Sequence, residues 1–115
     1  MTRSLTAEEV VAIRQVAERL TQERRLRLLE DLARSTANSA TPDGSRVVFE
    51  ITGYERPAYR GQHSFGVEGE LLDKDGSKLS FDLFADENDR LLELELIRWG
   101  NGMVLGPDWA TLKLY

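Results

Sequence analysis

The chain has 115 residues, of which 41% are hydrophobic, and this length suits one domain with a buried core. It contains no cysteine, which excludes a disulfide framework, a thiolate metal site and a cysteine nucleophile. Its formal net charge of -5 at pH 7 repels phosphate backbones and attracts basic protein surfaces. A protein partner is therefore favoured over nucleic acid.

The charge is unevenly distributed along the chain. Residues 1–40 contain seven arginines and six acidic residues, whereas residues 41–115 contain eight basic and fourteen acidic residues.

No apolar run approaches the ~20 residues that a membrane-spanning helix needs, and the N-terminus does not resemble a cleaved secretory signal. We therefore expect a cytoplasmic protein that does not bind a membrane.

The N-terminal part is predicted to form two helices. Thr6 and Glu9 make a capping-box pattern, and the apolar residues behind them fall on one face of a helix over about residues 7–20. That phase would later fall on Arg24, Arg27 and Asp31, which predicts a kink near residues 20–23 and a second helix to about residue 34. The alternating charges of this second helix favour a solvated face over a DNA-reading helix.

The remainder of the chain is predicted to form a sheet. Residues 35–45 are rich in turn residues and are expected to be a connector. From residue 46 the apolar period changes to two, as in strands with one buried face. The residues predicted to face the core are Val47, Phe49, Ile51, Phe65, Val67, Gly69, Leu71, Leu79, Phe81, Leu83, Leu92, Leu94 and Leu96.

The turns between these strands are short. Asp-Gly within residues 73–77 is a hairpin signal, residues 85–90 form a polar turn, and Thr111–Tyr115 is a candidate last strand. The expected fold is a single α+β domain over residues 1–115, with helices at about 7–34, the connector at 35–45 and the sheet at 46–115. In it, two N-terminal helices pack on one face of a four- to five-stranded antiparallel meander sheet.

The other face of that sheet is the first candidate site. Leucines alternate with glutamates from residue 91 to residue 96, and Ile97, Arg98 and Trp99 follow. The carboxylates predicted on this face are Glu50, Glu68, Glu70, Asp82, Glu93 and Glu95. Apolar residues are interspersed among them, including Val48, Leu72, Phe84, Leu91, Ile97 and Trp99. Such a mixture is typical of protein interfaces, although an ordinary solvated face edged by Arg46, Lys78 and Arg98 would also show it.

The connector over residues 53–63 is the second candidate site. It places Tyr54, Arg56, Tyr59 and Arg60 around Pro57. Tyrosine and arginine are enriched at binding hot spots, so Tyr54 and Tyr59 are predicted to contact a partner. The alternative is that these tyrosines seal the end of the sheet.

Other chemistry is weakly indicated. A calcium loop begun at Asp73 would need a glutamate at its twelfth position, where Phe84 stands. His63 is the one histidine, and nothing in the sequence supplies the rest of a catalytic triad. Glu68 with Glu70 has a spacing that glycosidases use, but no aromatic cleft is indicated beside this pair. We therefore expect no metal, no cofactor and no enzymatic activity.

Residues 66–99 resemble small bacterial domains that are encoded beside polymorphic toxins. Those domains have a D-x-D-G hairpin followed by a strand of the form L-x-E-L-[DE]-x-x-[RK]. The matching positions are Asp73, Asp75, Gly76, Glu93, Leu94 and Glu95, while Trp99 is displaced from the aromatic position. The resemblance implies an immunity protein of a contact-dependent or secreted effector system, which binds and blocks a cognate toxin domain. Binding surfaces differ widely among such proteins, so the resemblance transfers no functional residue.

Two hypotheses follow from the sequence. The first is a cytoplasmic immunity protein whose acidic, aromatic-edged surface neutralises a cognate and basic toxin. The second is a small-molecule-binding or enzymatic α+β domain with a pocket between the helices and the sheet. A polar cavity with a perturbed carboxylate pKa would favour the second hypothesis.

Overall fold

The computed structural model describes residues 2–58 and 61–115. Strand β1 (Thr2–Arg3) precedes helices α1 (Ala7–Ala17) and α2 (Gln22–Ala33). The later strands are β2 (Ser35–Ser39), β3 (Arg46–Ile51), β4 (His63–Leu72), β5 (Lys78–Ala85), β6 (Leu91–Arg98) and β7 (Asp108–Leu114). These seven strands form one sheet in the order β1-β2-β3-β6-β5-β4-β7, and the two helices cover one side of it. We call the helix-covered side the inner face and the opposite side the outer face.

The predicted four- to five-stranded meander is wrong, because the described residues form a seven-stranded antiparallel sheet. β2 lies inside the predicted connector 35–45, and β1 precedes the helices. β3 pairs with β6, so the meander is limited to β4, β5 and β6. The sequence of β2 is polar apart from Ala37, and so few apolar residues give no detectable period.

The predicted start of α1 is confirmed. The Thr6 hydroxyl accepts the N–H of Glu9 at 3.1 Å, and the Glu9 carboxylate accepts the N–H of Thr6 at 2.9 Å. The helix ends at Ala17, three residues before the predicted end, and α2 begins at Gln22 after the predicted break. No helix among the described residues is long and apolar enough to cross a membrane.

The prediction that Asp31 belongs to a solvated helix face is wrong. Arg24, Leu28 and Asp31 of α2 share the face that turns toward the sheet, and Asp31 is only 1% exposed. Arg90, at the end of the β5–β6 turn, donates from Nη2 to Asp31 Oδ1 at 2.7 Å and from Nε to both carboxylate oxygens at 3.0 Å. The Leu91 N–H adds a fourth bond at 3.2 Å. This face of α2 therefore packs against the sheet through the charged residues Arg24 and Asp31 as well as through Leu28.

The alternation predicts the inner face correctly except at one position. Val47, Phe49, Phe81 and Leu94 are among the buried residues, but Leu91 is fully buried where Leu92 was expected. Phe84 lies opposite Glu93 and Ala85 lies opposite Leu91, so Leu92 is an extra residue in a β-bulge. The bulge turns the Leu92 side chain outward. Beyond it, Leu94 and Leu96 face the core as predicted.

Leu94→Ala is expected to lower the free energy of unfolding by about 2–5 kcal/mol, because Leu94 is buried against the inner face of the sheet. Chemical denaturation with matched m-values measures this loss. An unchanged midpoint would contradict the assigned parity of β6.

Asp31→Asn is expected to cost about 3–5 kcal/mol, because it leaves the Arg90 guanidinium without its buried counter-charge. The exposed helix residue Glu30, changed to Gln, is the matched control, and this change is expected to stay within about 0.5 kcal/mol. Similar losses for the two variants in thermal or urea unfolding would contradict a structural role for the Asp31–Arg90 pair.

Candidate protein-binding face

A row of charged residues crosses the outer face. Glu95 of β6 lies opposite both Arg46 of β3 and Asp82 of β5, and Asp82 lies opposite Glu68 of β4. Adjacent strands are about 4.8 Å apart, so the three carboxylates are close neighbours. Like charges placed opposite each other on neighbouring strands are unfavourable. We therefore expect the row to lower the stability of the free protein.

The carboxylates of this row are only partly satisfied. Asp82 accepts hydrogen bonds from the Ser64 hydroxyl at 2.7 Å and from its neighbour's N–H, that of Leu83, at 2.9 Å. Within residues 2–58 and 61–115, the side chains of Glu68 and Glu95 form no hydrogen bond or ion pair. Arg46, although opposite Glu95, is bonded to Glu93 instead. Unsatisfied carboxylates on an open sheet face are available to a basic partner.

Glu93 is not one of the accessible carboxylates, so the expectation that it is exposed on the outer face is wrong. It is 3% exposed, and both of its oxygens accept 3.0 Å hydrogen bonds from Arg46. Glu93 directly follows the bulge residue Leu92 and lies beside the connector between β3 and β4. A cavity of about 360 Å³ separates that connector from the sheet, with Val48 and Leu92 on the sheet side.

An apolar platform adjoins the acidic row. It consists of Leu72, Ile97 and Trp99, which are 40%, 56% and 61% exposed. Ile97 lies opposite Ser80 of β5, and Leu72 lies opposite Lys78 of β5. The three residues therefore flank β5 at one end of the sheet, with Leu72 on β4, Ile97 on β6 and Trp99 just after β6. Large apolar side chains grouped in this way on a sheet face are typical of contact surfaces.

Trp99 is fixed on the platform by two neighbours. Its indole Nε1 donates to the Ser80 hydroxyl at 2.7 Å, and Lys78 Nζ lies 5.3 Å from the centre of the ring. Lys78 also pairs with Glu70 at 3.3 Å, so Glu70 is less free than Glu68. An ordered tryptophan loses little conformational freedom on binding, which favours its use as an anchor.

The predicted contact residue Tyr54 is engaged within the protein. Its hydroxyl donates to Asp86 Oδ2 at 2.7 Å, and the Arg90 guanidinium carbon lies 4.2 Å from the centre of its ring. Burial and the hydrogen bond to Asp86 raise the pKa of Tyr54. These contacts match the alternative in which the tyrosine seals the end of the sheet, while its contact with a partner stays a prediction. Tyr59 lies outside the described residues, and Glu50 is exposed on β3.

The sequence analysis missed the function of the β5–β6 turn, which joins several elements. Asp86 accepts hydrogen bonds from Tyr54, from Arg56 Nη1 at 2.9 Å and from two N–H groups of its own turn. Burial raises the pKa of Asp86, but these hydrogen bonds outweigh it and hold the pKa below its ordinary value. Asp89 is bound by Arg24 at 2.7 and 2.8 Å and by His63 at 3.0 Å. The sequence signal was a turn with three acidic residues, of which Asp86 and Asp89 are bound by arginines far away in sequence.

The Asp-Gly hairpin is confirmed, with Gly76 at φ +86°. The Asp73 carboxylate accepts the N–H groups of Lys74, Leu105 and Gly106, and Arg98 Nη1 at 2.7 Å. Arg98 Nη2 also binds Asp75 at 2.7 Å, so both ion pairs of Arg98 are to aspartates of the β4–β5 hairpin. No group of three or more metal-binding side chains suited to an ion occurs in the described parts of the chain. Asp73 therefore anchors the loop that precedes β7.

Comparison of the chain with known protein families, with curated proteins and with solved structures finds no match.

Stability is expected to fall modestly as the pH rises above about 6.5. Hydrogen bonds to Asp89 and to the Gly61 carbonyl raise the pKa of His63 above 6.5. The folded state therefore holds this proton more tightly than the unfolded state, and the stabilisation is complete below about 6.5 and disappears as the pH passes the folded-state pKa. The effect is small because His63 is about half exposed.

Thermal melts of wild type and His63→Gln across this pH range measure the effect. The wild type should lose stability with rising pH, and the variant should show a flatter profile. Parallel profiles would mean that the His63–Asp89 contact does not contribute.

Proposed function

We propose that the protein is an immunity-type inhibitor that binds a cognate, basic bacterial toxin domain through its outer sheet face and acts in the cytoplasm without enzymatic activity. The observation that carries the proposal is that the apolar platform and the acidic row lie side by side on one uncovered face, where Ile97 lines the same depression as Glu68, Asp82 and Glu95. Apolar anchors provide affinity, and surrounding charges select a partner of opposite sign and speed its approach.

The proposed interface is narrower than the set of residues suggested by the sequence. Its charged part is Glu68, Asp82 and Glu95, and its apolar part is the platform around Trp99. Glu70 and Glu50 lie at its margins, whereas Glu93 contributes by holding Arg46. The resemblance of residues 66–99 to toxin-associated domains supports an inhibitor as the class of binding protein.

A small-molecule-binding domain is the second candidate function. The cavity of about 360 Å³ beneath the β3–β4 connector favours it, and Asp86 in its lining has a lowered pKa. Its charged residues, however, bind one another as Arg46–Glu93 and Arg56–Asp86 pairs. Charges that already neutralise each other give a ligand little to bind, so the outer face supports the inhibitor better.

Reversing two charges on the acidic row is expected to slow association with the toxin. The variant is Glu68→Lys with Glu95→Lys, and the partner to test is a toxin-like domain encoded by a neighbouring gene. Association should slow by about tenfold at low ionic strength, and its dependence on salt should flatten, because steering by charge acts mainly on encounter rates. Stopped-flow or surface-based kinetics at two salt concentrations measure this change.

The matched control is Glu30→Lys with Glu87→Lys, which changes the net charge equally at exposed positions off the outer face. This control should keep most of the association rate. Trp99→Ala tests the platform separately and should mainly raise the dissociation rate. Unchanged rates for both outer-face variants, with melts showing folded proteins, would remove this face from the interface.

A further inference from the structure

The helix layer carries a groove on its solvent side, away from the outer face. The groove has a volume of about 460 Å³ and lies between α1 and α2. Its apolar floor is formed by Val10, Ala17, Leu29 and Leu32. Val10 and Leu29 are only half buried, so the two helices leave part of their apolar surface uncovered.

Two arginines stand at the rim of this groove, Arg14 on α1 and Arg25 on α2. Within residues 2–58 and 61–115 neither arginine forms an ion pair, whereas the adjacent Arg24 is bound to Asp89 at 2.7 Å. Glu18 is the acidic residue of the lining and is likewise without an ion pair in the described ranges. The rim therefore has an excess of one positive charge, carried by groups with free hydrogen-bond donors.

We propose that this groove is a second docking surface and that its occupant is an acidic amphipathic helix of another protein. A groove between two packed helices accepts the ridge of a third helix. Leucine-like residues of that helix would cover Val10 and Leu29, as in other helix-in-groove complexes. Its flanking carboxylates would meet Arg14 and Arg25, whose planar guanidinium groups match carboxylates well.

Other occupants fit these observations less well. A basic helix would place positive charge against Arg14 and Arg25. A second copy of this chain would bring a helix layer with the same arginines, and its acidic row lies on a broad sheet that does not enter a groove. The groove and the acidic row also lie on opposite sides of the molecule, so the protein could hold a basic and an acidic partner together.

Two synthetic peptides provide the test, and neither depends on the proposed toxin. Both have about 18 residues, or five helical turns, with the same leucine stripe. One carries glutamates beside the stripe and the other carries lysines. Fluorescence anisotropy at low ionic strength should show saturable binding of the acidic peptide that the groove-blocking substitution Ala33→Trp removes. Any binding of the basic peptide, which the acidic row attracts, should be unaffected by Ala33→Trp.

Variants assign the binding to the groove. Arg14→Glu with Arg25→Glu should weaken the acidic peptide at least about tenfold. Arg27→Glu with Arg34→Glu makes the same charge change outside the groove and should stay within about threefold. Ala33→Trp, at the groove wall, should block binding without changing the net charge.

Three results would overturn the proposal. They are equal loss of both peptides in the Ala33→Trp variant, equal weakening of the acidic peptide by the two arginine pairs, and undiminished binding of the acidic peptide by a folded Ala33→Trp variant. Sedimentation of the protein alone is the further arm, since dimers abolished by Arg14→Glu with Arg25→Glu would assign the groove to a second copy instead.

Discussion

The buried carboxylate of Asp31 is the constraint on which the arrangement of the layers depends. A carboxylate in the interior is costly unless it is paired and hydrogen-bonded, and Asp31 receives three contacts from Arg90 and one from the Leu91 N–H. The same guanidinium covers the ring of Tyr54, whose hydroxyl binds Asp86. One ion pair therefore fixes the helix layer, the β5–β6 turn and the start of the β3–β4 connector relative to one another.

This constraint also shapes the outer face. Arg90 and Leu91 are held toward α2, and the extra residue that follows, Leu92, is accommodated as a bulge. Glu93 is then covered by Arg46 and is not one of the exposed carboxylates of the outer face. What stays open is a shorter acidic row next to the apolar platform, and within the described residues no arginine forms an ion pair with any of its three members, unlike the buried acids.

Sequence patterns predicted the structure where the signal was local. The Thr6–Glu9 cap, the Asp-Gly hairpin and the buried alternation of β4 and β5 each depend on residues a few positions apart. The failures depend on distant partners, since Asp31 and Arg90 are 59 residues apart and Arg24 and Asp89 are 65. A charged residue on a helix looks the same in sequence whether it meets water or a buried arginine. The sequence predicted that the residues of the apolar platform lie on the outer face. It did not predict the hydrogen bond that Trp99 donates to Ser80 of another strand, which holds the tryptophan in place.

The distribution of satisfied and unsatisfied charge separates structural residues from candidate functional ones. Each buried acid, such as Asp31, Asp73 or Asp86, is matched by arginine or N–H donors, as stability requires. Glu68 and Glu95 are adjacent to Asp82 and accept no hydrogen bond within the described residues, although Arg46 interacts electrostatically with Glu95. We expect the repulsion along this row, which Arg46 offsets at one end, to lower the stability of the free fold, and a basic surface that covered the row would relieve it. The same reasoning applies with opposite sign to Arg14 and Arg25, so the two sides of this small protein suit partners of opposite charge.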